Sequence, residues 1–198
     1  MQAGDVLVIK NKKFVVQSIR ASHPDHCSVV ATWSGRTYLV RVFMDPEEFA
    51  KAMADYKQLK HAGINMAKIC FHDDPAHIIA FDYFPEEDCL SVLAKGPMDD
   101  RYFEALFALY RFARFSKVGL DWQPQNFMLR GNQMFYLPTK WQKLTDENVL
   151  EKAGLRTWFL GQEGLALLKR KGFDTSSLPS LSELEVNKEV VLKTVRYW

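Results

Sequence analysis

Cysteine is scarce in this chain, and so is an excess of charge of either sign. The three cysteines, Cys27, Cys70 and Cys89, are odd in number, far apart and set among apolar neighbours, which argues against both a disulfide framework and a zinc site. A net charge of only +2 gives no global electrostatic case for wrapping nucleic acid or lying on anionic lipid, so nucleic acid is not an expected partner. Long apolar runs are missing too. The opening "MQAGDVLVIKNKKF" reaches a turn-like "NKK" after a handful of apolar residues, too few for a signal-peptide core or a membrane span, and a reducing, cytoplasmic setting is expected. There is no internal repeat or low-complexity stretch. The five histidines show no close pairing except His23 and His26 around "PD", where plain loop histidines are expected ahead of zinc ligands.

What is present is an ordinary globular composition: 198 residues, 47% hydrophobic and 25% charged, enough for one large domain or two small lobes. The segments "DVLVI", "FVVQSI", "CSVVATW" and "RTYLVRVF" are rich in β-branched and aromatic residues and read as strands, with Ser34-Gly35 as a hairpin turn. The period then changes. Residues 46–62 place Phe49, Ala52, Met53, Tyr56 and Leu59 on one helical face, with Asp45 as cap, Pro46 in the first turn and Gly63 as stop. Two further strands, "AKICF" and "HIIAFDYF", flank the turn "HDDPA".

Beyond Pro85 to Asp88 the chain turns helical, and Tyr102, Phe103, Leu106, Phe107, Tyr110 and Ala113 form a wide apolar stripe. "NFML" and "QMFYL" flank Arg130-Gly131-Asn132 as a short hairpin. Helices are expected around 148–153, 162–171 and 182–197, with Gly154 and Gly172 as stops and "KRKG" cations at a helix C-terminus. The predicted boundary gives an amino-terminal region 1–85 and a minimal helical region 86–198.

The most telling stretch is "DWQPQNFML", residues 121–129. With the element order around it, it resembles the catalytic loop of the protein-kinase-like superfamily, which includes small bacterial kinases and lipopolysaccharide-core kinases; the resemblance covers roughly residues 13–141. It implies an α+β, two-lobed protein-kinase-like fold, with an antiparallel N-lobe sheet plus one helix and a reduced, mainly helical C-lobe. It also implies Asp121 as catalytic base toward an acceptor hydroxyl and Asn126 as magnesium ligand beside the phosphates of ATP. Residues 77–96 are similar to the family's strand, hinge and following helix, so that Asp82, Tyr83 and Phe84 line a nucleotide crease. "YKQLKHAGI" resembles the end of its regulatory helix.

The departures are as specific as the matches. The phosphate-holding Lys is replaced by Arg41, and guanidinium and ammonium are not interchangeable in a tight phosphate site. The Gly-rich loop is replaced by "RASHPDHC", whose backbone cannot easily close over phosphates. The helical Glu falls on Ala52, with Glu48 and Asp55 a turn away. The metal-binding Asp falls on Pro138 and Thr139, and the His before the base on Gly119.

Each residue also has a plain structural role. Asp121 and Asn126 can order a turn through their own backbone. Arg41, between Val40 and Val42, can be solvent-facing or salt-bridged. Cys70 and Cys89 lack an evident base, so core packing is expected. Trp122, Trp141, Trp158 and Trp198 are expected as core or interface anchors. The leading expectation is a degenerate kinase-like protein, a pseudokinase binding a protein partner or an altered ligand, with no certain cofactor. The alternatives are an atypical phosphotransferase that uses ATP and magnesium on a protein, sugar or lipopolysaccharide-type hydroxyl, and an α+β interaction module unrelated to kinases.

Overall fold

The computed structural model describes residues 1–22 and 24–198, so His23 lies outside the described residues. The chain divides into two units: Met1–Lys57 with Ala67–Pro85, and Gln58–Met66 with Glu86–Trp198.

The first unit is a six-stranded antiparallel sheet of β1 (Val6–Ile9), β2 (Lys12–Ser22), β3 (His26–Trp33), β4 (Arg36–Phe43), β5 (Ile69–Asp73) and β6 (Ile78–Asp82), in the order β1-β2-β3-β4-β6-β5. Turn chemistry fixes the register. Ile9 pairs with Lys12 and Trp33 with Arg36, leaving two-residue loops whose central residues all have positive φ: Lys10 and Asn11, then Ser34 and Gly35. Such primed turns match the twist of the strands they join. Period-two alternation then sends Phe14 and Val16, Val29 and Ala31, and Tyr38 and Val40 into one core with Ile78 and Ala80. The sheet curls, so that the Asp73 carboxylate accepts the Lys10 backbone N–H at 2.8 Å and Phe71 of β5 packs on Phe14 of β2, ring centroids 5.7 Å apart.

The opposite face of β4 and β6 is covered by α1 (Pro46–His61). Asp45 accepts the Glu47 backbone N–H at 2.7 Å, and Gly63 takes the left-handed conformation, φ +77°, that ends the helix. Phe49, Ala52, Tyr56 and Leu59 are buried, as their spacing predicts, while Met53 is half-buried. Phe49 meets Phe43, Tyr56 meets Phe81, and the Tyr56 hydroxyl accepts the Ile69 backbone N–H at 3.1 Å. The last residues of α1 and the following loop, through Leu59 and Ile64, belong to the core of the second unit.

The second unit is built on α3 (Asp100–Phe115), preceded by the short α2 (Cys89–Leu93), each capped by an aspartate: Asp88 accepts from Ser91 N–H and Asp99 from Arg101 N–H. All six apolar residues predicted for the α3 stripe are buried. Two small ladders follow, β7 (Val118–Gly119) with β10 (Gln142–Lys143), and β8 (Phe127–Arg130) with β9 (Gln133–Tyr136), turned at Gly131 with φ +59°. α4 (Leu150–Ala153), α5 (Gln162–Arg170) and α6 (Glu183–Tyr197) complete it. α6 starts in a capping box between Ser182 and Glu185 and is tied to α3 by Lys193 and Arg196 on Asp100. Trp122 and Trp158 are fully buried, whereas Trp141 and Trp198 are on the surface.

One cysteine corrects the expectation. Cys89 is buried, and desolvation pushes its thiol far up; Cys70 is exposed and is not a core residue. The ladder between β5 and β6 shifts register between Ile69 and Phe71, and this bulge at an edge strand leaves Cys70 exposed between the half-buried Ile69 and Phe71.

Candidate functional site

The loop that follows β7 is held from below. Trp122 is stacked on Phe127, centroids 5.7 Å apart and 6° from parallel, and meets Tyr110 edge-on at 5.1 Å. Its indole N–H donates to the Asn148 carbonyl at 2.9 Å, and its own carbonyl accepts the Trp158 indole N–H at 2.7 Å. Both polar handles are thereby satisfied inside an apolar core. Gly154 is required here because a Cβ would lie 2.7 Å from the Trp122 carbonyl oxygen, while a Cβ at Gly119 would lie 2.3 Å from the Asn148 side-chain nitrogen and push that side chain aside. Where the sequence predicted a helix stop at Gly154, the structure adds a close approach of two backbones.

On this base Asp121 is exposed. Its side chain accepts the Gln123 backbone N–H at 3.4 Å, and its own N–H donates to the Tyr136 hydroxyl at 3.5 Å. A 3₁₀ turn, Pro124–Asn126, brings Asn126 back so that its Nδ2 donates to the Asp121 carbonyl at 3.2 Å. Asp121 and Asn126 therefore share one closed loop. The amide's Oδ1 is the atom with lone pairs for a cation.

The register after the hairpin is fixed as well. Leu137 N–H donates to the Asn126 carbonyl at 2.8 Å, and Tyr136 N–H to the Asn65 carbonyl at 2.9 Å. Pro138 and the buried Thr139 come next. A magnesium ion beside nucleotide phosphates calls for hard, anionic oxygen ligands, and this segment offers an amide oxygen and a threonine. Among the described residues no group of three or more His, Cys, Asp or Glu could hold a metal ion. The residues present do not fit the metal.

The remaining predicted positions lie in the first unit. Arg41 is half-buried on β4, opposite Ser28 and Ile79, with its guanidinium 5.0 Å from the centre of the Phe81 ring, a cation–π contact. Ala52 is buried on α1, with Glu48 and Asp55 half-buried to either side. Asp82 ends β6, and Tyr83 and Phe84 follow it half-buried. Sequence reasoning missed the partner of Asp82: the Cys70 thiol donates to its Oδ1 at 3.0 Å. Desolvation first, and then the bond to and charge of Asp82, push the thiol up to about 12. Asp82→Asn is therefore expected to raise the rate of Cys70 alkylation at pH 8 by about tenfold, the thiolate gained for each pKa unit returned. Peptide mass spectrometry of the alkylated protein reads it directly; an unchanged rate would show that the carboxylate does not hold the proton.

No protein-family model and no curated protein sequence matches this chain. Solved structures do. The BubR1 kinase domain is similar over 70% of this chain and 49% of its own, with a TM-score of 0.51 and 12% identity. The fold is kinase-like. The PknI kinase domain of Mycobacterium tuberculosis is similar over 70% of this chain and 62% of its own, with a TM-score of 0.47 and 12% identity. The chain thus spans about half the length of the BubR1 kinase-domain chain it matches, and its curled antiparallel sheet with one covering helix is consistent with a kinase-like amino-terminal lobe. No helix among the described residues is long and apolar enough to cross a membrane.

Proposed function

We propose that this is a kinase-like protein without phosphoryl transfer, a pseudokinase that acts by binding a protein partner or an altered ligand. The observation that carries this reading is Pro138-Thr139 at the end of a hairpin whose register is pinned to Asn126. Catalysis of phosphoryl transfer rests on positioning and electrostatic stabilisation, with metal ions neutralising the developing charge. Neither Pro138 nor Thr139 supplies that anchor. Arg41 in place of the phosphate-holding Lys and a glycine-free "RASHPDHC" connection support the same conclusion. A ligand at this fold's usual place would meet Arg41, Asp82, Tyr83 and Phe84.

A second reading has one observation in its favour. Asp121 is exposed and its carbonyl is still joined to the Asn126 amide, so a carboxylate and an amide oxygen remain on one loop for an atypical phosphotransferase acting on a hydroxyl. Calorimetric titration with ATP, with and without magnesium, together with a phosphate-release assay, separates the two. The expected result is no magnesium-dependent heat and no phosphate release above the protein-free rate. Magnesium-dependent binding that Asn126→Ala abolishes, with turnover that Asp121→Asn abolishes, would establish the enzyme instead.

A further inference from the structure

α3 ends in two phenylalanines that stand out of the core. Phe115 is 86% exposed, more than any other large apolar side chain among the described residues, and Phe112 is 43% exposed. Three residues apart, they share one helical face. The tip of Phe112 rests on the loop after α1, where a Cβ on Gly63 would come 2.8 Å from its Cζ. Beside it the Ser116 hydroxyl donates to the Ala62 carbonyl at 3.2 Å. That loop belongs to the second unit, so the whole face lies within one unit.

A single exposed apolar residue needs no explanation, but the charges around this pair are all of one sign. Residues 58–66 and 105–120 hold no aspartate or glutamate. Lys60 lies in the last turn of α1 and Lys117 follows α3, while the Leu144 N–H donates to the Lys117 carbonyl at 3.1 Å and brings Lys143 of β10 alongside. All three lysines are exposed, and none has a carboxylate at ion-pair distance among the described residues. Arg111 and Arg114 are engaged elsewhere, on the Tyr197 carbonyl and over the Tyr110 and Trp198 rings. Glu147, in the loop after β10, is turned to Lys152 at 3.7 Å. Helix dipoles account for Lys60 and Lys117, but not for bare phenylalanines between them. The other basic run, Lys169-Arg170-Lys171 at the end of α5, has no exposed large apolar residue beside it.

We propose that this end of α3, with Lys60, Lys117 and Lys143 around it, is a docking face for an anionic lipid surface, holding the protein to a bilayer without crossing it. The proposal is independent of the function argued above. A ring as exposed as Phe115 is a wedge and not the wall of a groove, so it suits a partner that yields to it, and the unpaired ammonium groups suit negative charge. A bilayer offers both: the ring enters the boundary between headgroups and acyl chains, and the lysines stay among the headgroup phosphates. A folded acidic protein would need a pocket shaped to the ring, and a nucleic-acid strand would need a basic groove lined with stacking platforms.

Flotation of the full chain with vesicles of phosphatidylcholine and phosphatidylglycerol in equal parts is expected to show binding that pure phosphatidylcholine does not support. Added salt weakens it, since exposed charges are screened beyond about 10 Å at about 0.1 M. Phe115→Ala, at a side chain that touches little of the fold, lowers the affinity about tenfold or more with the melting temperature unchanged. Lys117→Glu lowers it by a similar factor, whereas the same charge change at Lys171→Glu on α5 leaves it within about twofold. No binding to the mixed vesicles at low salt, equal binding to pure phosphatidylcholine, an unchanged affinity in Phe115→Ala, or equal losses in Lys171→Glu and Lys117→Glu would each overturn the proposal. The first of these, joined to binding of a polyglutamate peptide or single-stranded RNA, would give the face to that partner instead.

Discussion

Trp122→Ala is expected to destabilise the second unit by about 3–5 kcal/mol, the range for removing a large buried aromatic side chain. Trp122 is fully buried. Its ring faces Phe127 and Tyr110, and its indole N–H is the donor to the Asn148 carbonyl. Alanine opens a cavity between those rings and strands that carbonyl, and a buried acceptor without a donor costs about 1–3 kcal/mol in its own right. The surroundings cannot readily close in, because the Trp122 carbonyl still holds the Trp158 indole and Gly154 presses on the same backbone. Urea unfolding followed by fluorescence gives the loss. Hydrogen exchange places it, with faster exchange at amides of β8, β9 and α4. A shift of the urea midpoint worth less than about 1 kcal/mol, the size typical of a surface change, would mean that the loop does not rest on this side chain.

Phe14→Ala is expected to cost a similar amount, about 3–5 kcal/mol, in the first unit. Phe14 is fully buried and lies within 5.3–5.8 Å, centre to centre, of Tyr38, Phe71 and Trp33. It thus joins β2 to β3, β4 and β5 across the curl of the sheet. The control is its neighbour. Val15 points the other way and is 39% exposed, so Val15→Ala should stay within about 1 kcal/mol of the parent. The pair tests the register directly, since a one-residue slip exchanges the two faces of a strand. Equal losses at both positions would contradict the burial pattern.

The elements of this fold are readable from the chain because each is specified within a few residues. Asn11 and Gly35 supply the left-handed conformations that two-residue hairpins require. The stripe from Tyr102 to Ala113 repeats at helical spacing, and all of it is buried. The capping pair Ser182 and Glu185 stands three residues apart, as that device demands. The kinase-like resemblance read from "DWQPQNFML" and the order of elements agrees with the fold found in the BubR1 kinase domain.

Contacts between distant residues were not readable in the same way. Cys70 carries the signature of a core residue, an apolar strand on either side, yet a bulge exposes it, and its thiol donates a hydrogen bond to Asp82. The support of the candidate loop comes from Asn148 and Trp158, which stand 26 and 36 residues away from Trp122. No local pattern marks those residues.

The amino-acid order alone determined the strands, the helices, their turns and caps. These depend on backbone preference, on periodicity and on the chemistry of single side chains, all of which are local. Tertiary structure alone decided that Trp122 carries the loop, that Cys70 faces solvent, and that α6 keeps Leu184, Val191 and Val195 in water. Burial is a property of what arrives from elsewhere in the chain, and an apolar residue on a helix reads the same whether or not another element comes to cover it.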